Sequence, residues 1–408
     1  MLSCAVLDTS RATGRVGTPD RAAEVERPMP TTMLRRGGSD AAEPWAAVGA
    51  LHRQIGGSDL AFVLIFCSPH YDRTELASAI RHFFAECRVF GCTTAGEITP
   101  FGYISGGLSG IGFPAGDFAV TAALFQGLKT FKIATAIDET RRAMALQAEG
   151  SAGGPPPSGD AFALLLVDGM SLCEEQLVSA IGNTLNGTPL VGGSAGDGMN
   201  FNCTFVLHDG RFVGDAAVLL LISTRRRFSV FKTEHFVPTG NKMVVTGADL
   251  DQRRVYEINA EPAAAEYARL VGLAGMPLSP TIFASHPVMV RVGGQYHVRA
   301  IQKVNPDNSL TFFCAIDEGI VLTAAKGVDI LENLKDLFGR LRREVGRPDL
   351  IIGCDCVLRN LEIEERQLKA AVSALFVDQH VVGFCTYGEQ YMSMHMNQTF
   401  TGVIIGAS

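Results

Sequence analysis

Apolar residues in this chain gather into short runs and one-sided helical faces, and the same succession occurs three times. Residues 61–66 are all apolar and short enough for a buried strand. Leu76, Ala79, Ile80, Phe83 and Phe84 then recur at i, i+3, i+4, i+7 and i+8, one face of a helix, and residues 88–90 run as a strand into Gly91. Residues 161–167, the face Leu177, Ala180, Ile181 and Leu185, and residues 189–191 before Gly192 repeat the order. Residues 350–352, the face Leu368, Ala371, Val372, Leu375 and Phe376, and the run Val381-Val382-Gly383 repeat it again. The first helical leucine lies fifteen positions before the loop glycine in every copy: Leu76 to Gly91, Leu177 to Gly192, Leu368 to Gly383. Each loop carries a glycine–acid pair (Gly96-Glu97, Gly196-Asp197, Gly388-Glu389), and a strand follows each, at 108–113, 216–222 and 401–405. Fixed spacing of this kind indicates one supersecondary unit reused. It predicts an α/β fold of mixed α+β type, with helices covering mixed sheets and the three acids at equivalent places.

The remaining segments punctuate these copies. Residues 1–34 show no apolar period and read as a disordered tail. Residues 41–54 predict a first helix, and residues 151–159, SAGGPPPSG, a surface linker. A second transition falls at 240–254. Beyond it the pattern predicts a strand at 255–258, a helix at 261–270 with Pro262 in its first turn, a β-meander over 287–323 and an amphipathic helix over 328–343.

Composition narrows the function classes. The 408 residues are 47% hydrophobic and 19% charged, enough for a sizeable core without disulfides. The formal net charge is -7, and Arg225-Arg226-Arg227 is the longest basic cluster, which argues against a nucleic-acid surface. No window reaches the roughly 18 apolar residues of a membrane span, and residues 1–30 lack the apolar core of a signal peptide. Ten scattered cysteines, several within apolar strand patterns, suit reduced thiols in the cytoplasm.

Chemistry concentrates at residues 381–406. A short apolar strand leads into Thr386, Tyr387, Gly388, Glu389 and Gln390; Met392, Met394, His395, Met396, Asn397 and Gln398 follow; residues 399–405 form another strand. Polar loops held between rigid strands are common binding sites. Elsewhere the signals are weaker. Cys354-Asp355-Cys356 places two thiols on one strand face, but a structural zinc site needs more donors. Glu97, Asp197 and Glu389 have no nucleophile at recognisable spacing and read as anchors of tight glycine turns. GCTTAGE and GGSAGDG lack the phosphate-loop lysine and the dinucleotide pattern, and Ser194 does not sit in a G-x-S-x-G elbow. No enzyme class is indicated.

GFCTYGEQ followed by HMNQT, with CDCVLR at 354–359, GCTTAGE at 91–97 and GGSAGD at 192–197, resembles the FIST sensory-domain family over residues 59–406. The resemblance implies a FIST N-terminal domain at 35–247 and a FIST C-terminal domain at 248–408. It implies small-ligand sensing. The branch most similar in length and stand-alone architecture is that of nitric-oxide-sensing haem proteins acting on a partner histidine kinase or cyclic-di-GMP signalling protein.

That branch implies haem b, which needs an axial donor such as His, Cys, Met or Tyr. Among nine histidines His395 lies in the densest motif, so His395 is the expected iron ligand, with Tyr387, Glu389, Met394 and Asn397 lining the site. His235 and His380 come next, and Cys385 is a further thiolate candidate. His395 as a loop-ordering hydrogen-bonder is the competing reading. A site for another small ligand, such as an amino acid, is the alternative function, suited by Tyr387, Glu389, Asn397 and Gln398.

Overall fold

The computed structural model describes residues 33–150 and 159–407. Residues 1–32 of the expected tail and 151–158 of the expected linker lie outside the described residues.

The first repeat contains β1 (Arg35–Ser39), α1 (Pro44–Ile55), β2 (Leu60–Cys67), α2 (Arg73–Phe83), β3 (Arg88–Thr93), a short hairpin of β4 (Glu97–Thr99) and β5 (Gly102–Ile104), and β6 (Leu108–Pro114). The second contains β7 (Phe118–Gln126), α3 (Ile133–Ala148), β8 (Asp160–Val167), α4 (Glu174–Thr184), β9 (Leu190–Ser194), the hairpin β10 (Val206–His208) and β11 (Arg211–Val213), and β12 (Ala216–Thr224). The third opens with β13 (Phe228–Glu234) and is then interrupted. The insertion comprises β14 (Phe236–Asp249), β15 (Arg254–Ile258), β16 (Glu261–Pro262), α5 (Ala263–Leu270), α6 (Pro280–Ser285), β17 (Val288–Val292), β18 (Gln295–Arg299), β19 (Ile301–Val304), β20 (Leu310–Phe312) and β21 (Val321–Gly327). The repeat resumes with α7 (Ile330–Val345), β22 (Pro348–Cys356), α8 (Val357–Glu365), α9 (Lys369–Asp378), β23 (Val381–Thr386), the hairpin β24 (Glu389–Tyr391) and β25 (Met394–Met396), and β26 (Thr399–Gly406).

The three repeats build three six-stranded sheets of identical order, β1-β6-β2-β3-β10-β11, β7-β12-β8-β9-β24-β25 and β13-β26-β22-β23-β4-β5. In each, the two long central strands are parallel and the flanking pairs antiparallel. The last two strands of every sheet come from another repeat. Hairpin β4–β5 joins β23 of the third repeat, β24–β25 joins β9 of the second, and β10–β11 joins β3 of the first. The exchange is cyclic, so no repeat completes its own sheet.

The loop glycines have a steric role in this arrangement. A Cβ at Gly91, Gly192 or Gly383 would lie 1.7, 1.9 or 1.8 Å from the carbonyl oxygen of Ile65, Leu165 or Gly353 on the neighbouring parallel strand. Only glycine permits that approach. The inner faces of the sheets share one core, with Phe62, Leu64 and Phe66 of β2, Leu164 and Leu166 of β8, and Leu350 and Ile352 of β22. The outer faces are covered by α1 with α2, α3 with α4, and α7 with α9. The insertion forms its own sheet from β14 to β21, including the meander expected from the sequence.

Two expectations need correction. The helix expected from the face Leu368 to Phe376 is α9, but a further helix, α8, precedes it after β22; residues 366–368 join the two, and Gln367 takes a positive φ of 59° there. Asp197 is not the equivalent of Glu97 and Glu389. Both glutamates open the first strand of an exchanged hairpin, whereas Asp197 lies well before β10, which begins at Val206.

Candidate functional site

Each exchanged hairpin presents one central cross-strand pair to the sheet it joins: Ile98 opposite Tyr103, Leu207 opposite Phe212, and Gln390 opposite His395. The first two pairs are built into the apolar layers beneath the helices. The third is polar and equally buried, with Gln390 at 0% and His395 at 5% exposure.

Gln390 Nε2 donates to Ser194 Oγ at 3.0 Å and lies 3.3 Å from His395 Nδ1. With Nδ1 accepting, the His395 proton sits on Nε2. That Nε2 has no partner, nor does Gln390 Oε1, nor do Asn397 Oδ1 and Gln398 Oε1 further along the chain. Buried polar groups are nearly always satisfied, and each orphan costs about 1–3 kcal/mol. Burial lowers the pKa of His395 and keeps the ring neutral; Glu175 and Glu174 pull the other way, and Arg253 and Arg299 reinforce the lowering.

These charges come from three directions. Glu174 and Glu175 begin α4, whose later residue Gly182 carries the hairpin turn: a Cβ there would lie 2.5 Å from Ser393 Oγ. Arg253, from the β14–β15 turn of the insertion, reaches Glu174 at 2.7 Å and Glu175 at 2.6 Å and donates to the Phe313 carbonyl at 2.6 Å. Arg299 ends β18, which runs beside β25. Gln398 holds a positive φ of 56° and donates to the Phe283 carbonyl of α6 at 3.2 Å. Left-handed backbone at a buried non-glycine residue is a strain that packing must sustain.

The other expected site residues have different places. The Glu389 carboxylate accepts from the Thr386 hydroxyl at 2.5 Å and from Thr399 N and Oγ1 at 3.1 and 2.8 Å, so it clamps the loop to the start of β26. Burial pushes its pKa up to about 8. Glu97 is its twin, accepting from Thr94 Oγ1 at 2.5 Å and Gly107 N at 3.1 Å, with burial raising its pKa to about 7. In the second repeat Asp168 takes this task, accepting from Thr204 Oγ1 and from Asp215 N at 2.6 Å. Asp197 instead gathers the backbone amides of Phe201, Asn202 and Cys203 at 2.8, 2.9 and 3.0 Å and the Tyr387 hydroxyl.

Tyr387 also packs on Phe201, ring centroids 4.7 Å apart, within a cluster that joins the loops to the insertion through Phe313 and Met289. Asn397 Nδ2 donates to the Tyr387 carbonyl at 3.4 Å. Met394 is exposed at 38% and does not line the His395 surroundings. Thus His395 and Asn397 fall together, Glu389 and Tyr387 brace the same loop from its far side, and Met394 points away. Gln390, Arg253, Arg299, Glu174 and Glu175 complete the constellation.

The alternative iron donors are committed elsewhere. His235, fully buried, lies 2.7 Å from Glu362 through Nε2 and accepts from Arg359 at 2.9 Å through Nδ1. Arg359 continues to Asp355 at 2.9 Å, and Asp355 to the Tyr103 hydroxyl. This network gives Asp355 and Arg359 of the CDCVLR segment a structural role at the neck of the insertion. His380 caps a turn against the Pro348 carbonyl at 3.2 Å. Cys354, Cys356 and Cys385 are buried, and desolvation raises each thiol well above its ordinary value. Among the described residues no group of three His, Cys, Asp or Glu is arranged to hold a metal ion.

Haem requires an open, largely apolar slot at the ligating nitrogen. At His395 the Cε1–Nε2 edge packs against the loop backbone: a Cβ at Gly388 would lie 2.2 Å from Cε1 and 2.6 Å from Nε2. Amide side chains neighbour the ring. As placed, these residues do not fit a porphyrin.

The FIST N domain family matches residues 61–261 and the FIST C domain family residues 263–392. The chain therefore belongs to the FIST family, whose domains are sensory, ligand-binding modules of signal transduction. It is also 26% identical over 270 residues to an uncharacterized protein of Methanocaldococcus jannaschii, covering 58% of this chain and 52% of that protein. The chain thus spans about half the length of this relative. Among the described residues no helix is long and apolar enough to cross a membrane.

Proposed function

We propose that this protein senses a small polar molecule of amino-acid size, held between hairpin β24–β25, the start of α4, and Arg253 and Arg299 of the insertion. One observation carries the reading: Gln390 and His395 leave buried polar atoms unpartnered where the pairs of the two sister hairpins leave none. Such atoms are retained at a cost in stability and suit a ligand that supplies both a donor and an acceptor. Charges of both signs around His395 suit a zwitterion. Ligand contact on the hairpin would bias its packing on α4, and the output would pass to a separate partner. A histidine kinase or a cyclic-di-GMP signalling protein is the partner class the resemblance implies.

Haem with nitric oxide as its ligand is the second reading, and one observation favours it: a buried, neutral imidazole with an unpartnered Nε2. It requires Gln390 to turn its amide so that Nδ1 carries the proton, and the loop at Gly388 to move. Two measurements separate the readings. Protein purified after haem supplementation is examined for a Soret band and its shift with nitric oxide, and thermal unfolding is followed against a panel of free amino acids and related polar metabolites. Stabilisation by a polar compound without a Soret band supports the first reading. A Soret band lost in His395→Leu, with no stabilisation by the panel, replaces it with the second.

A further inference from the structure

The charged groups around His395 are not equally committed. Arg253 is fully engaged: its guanidinium holds Glu174 at 2.7 Å and Glu175 at 2.6 Å and donates to the Phe313 carbonyl at 2.6 Å. Two carboxylates thus share one arginine. The second negative charge is met only by the Ala315 amide, 2.7 Å from Glu175, and by the N-terminus of α4. Glu174 is buried, while the Glu175 side chain keeps 26% exposure.

Arg299 is the converse, a charge without a partner. The backbone fixes its neighbourhood. Phe313 N donates to the Ala300 carbonyl at 3.0 Å, and Phe313 O and Ala315 N are the groups that Arg253 and Glu175 hold. Arg299 therefore leaves β18 next to the Arg253–Glu175 pair, on the strand that runs beside β25. It is half-buried, yet among the described residues its side chain makes no hydrogen bond and no ion pair. Drawing a guanidinium from water without a counter-charge costs stability. A second, independent observation lies two residues earlier, on the same face of β18. His297 is 6% exposed and its Nδ1 has no partner. The charges that act on His297 are cations, Lys232 and Arg299, and Arg299 acts on His395 as well. One free guanidinium is thus shared by two buried imidazoles, each with an orphaned nitrogen. Such a set lacks an anion with paired oxygens, the group arginine binds best.

We propose that Arg299 binds the carboxylate of the ligand and the Glu174–Glu175 pair its ammonium group, so that the site selects amino acids with both ends free. The assignment rests on the ligand reading above and narrows it; Arg253 then serves to hold the two glutamates. The test is thermal unfolding of the full chain with matched compounds: leucine, phenylalanine, glutamine, glutamate and arginine, each beside its carboxamide and its N-acetyl form. At least one free amino acid should stabilise the wild type, with an apparent Kd at least about tenfold tighter than either derivative. Arg299→Gln should weaken that amino acid at least about tenfold and leave its carboxamide unchanged, and Arg299→Lys should restore part of the loss. Glu175→Gln should erase the preference over the N-acetyl form. Without ligand, Arg299→Gln should unfold at the wild-type temperature, since the side chain has no bond to lose. A wild type stabilised by none of the compounds would remove the ligand reading and this assignment with it. A wild type stabilised equally by acid and carboxamide, or an Arg299→Gln variant that still prefers the acid, would overturn the assignment and leave the ligand reading in place. An Arg299→Gln variant that unfolds markedly earlier by itself would show a structural arginine and would overturn it too.

Discussion

His395 stands in the third exchanged hairpin where Tyr103 stands in the first: each is the middle residue of the second hairpin strand, paired with Gln390 and Ile98 respectively. The same backbone position has two uses. Tyr103 closes a core, its ring 5.4 Å from Phe376 and its hydroxyl on Asp355. His395 leaves Nε2 without a partner. Tyr103→Phe should therefore act on stability alone. Asp355 is fully buried, so losing that donor should lower unfolding free energy by about 1–3 kcal/mol. Denaturant titration measures the loss, and any ligand response should persist in the variant.

The cyclic exchange makes the chain's halves interdependent. A fragment ending after the second repeat, at residue 225, lacks β24–β25 to pair with β9 and leaves its own β4–β5 without β23. Expressed alone it should show no cooperative unfolding. Co-expressed with residues 226–408, it should be recovered with the second fragment through a tag on either one. Independent, cooperatively folded halves would contradict the exchange.

Glu389 and Glu97 should give stability a measurable pH slope. Their folded pKa values, about 8 and about 7, lie above the unfolded value near 4.3. Between those limits the folded state binds more protons than the unfolded one, so stability falls as pH rises from about 5 to about 8. Glu389→Gln keeps the shape and removes the titration. Its unfolding free energy should stay near that of the wild type at pH 5 and exceed it at pH 8.5. An unchanged slope in Glu389→Gln would show that the clamp is ionised in the folded protein.

Much of this architecture is legible in the sequence, because the repeat lies in local patterns. The apolar strand runs, the helix faces and the fifteen-residue spacing all correspond to elements of the structure. The spacing has a steric cause, since Gly91, Gly192 and Gly383 each pass close to a neighbouring carbonyl. The exchange is not legible. Strands β4, β10 and β24 have three residues each, too short for an alternating signal, and strand pairing at long range leaves no local mark. Asp197 misleads because a glycine–acid pair looks alike one position out of phase: Glu97 and Glu389 lie six residues beyond the loop glycine, Asp197 five.

At the site, His395 stands out by its neighbours in sequence, but Arg253, Arg299, Glu174 and Glu175 come from distant segments with no motif of their own. A signal for Gln390 did exist. Aligning the three hairpins sets Gln390 and His395 against Ile98 with Tyr103 and Leu207 with Phe212, and the polar pair is then the exception.

That exception gives the most direct measurement. Gln390→Leu with His395→Phe gives the third hairpin an apolar pair like Leu207 and Phe212 of hairpin β10–β11. Thermal unfolding of this double variant and the wild type is compared with and without the stabilising compound found for the wild type. The double variant should unfold at the same or a higher temperature, since two orphaned buried polar atoms are removed, and its stabilisation by the compound should vanish. A double variant that is markedly less stable, or that is stabilised by the compound as fully as the wild type, would contradict the assignment of Gln390 and His395 to a ligand site.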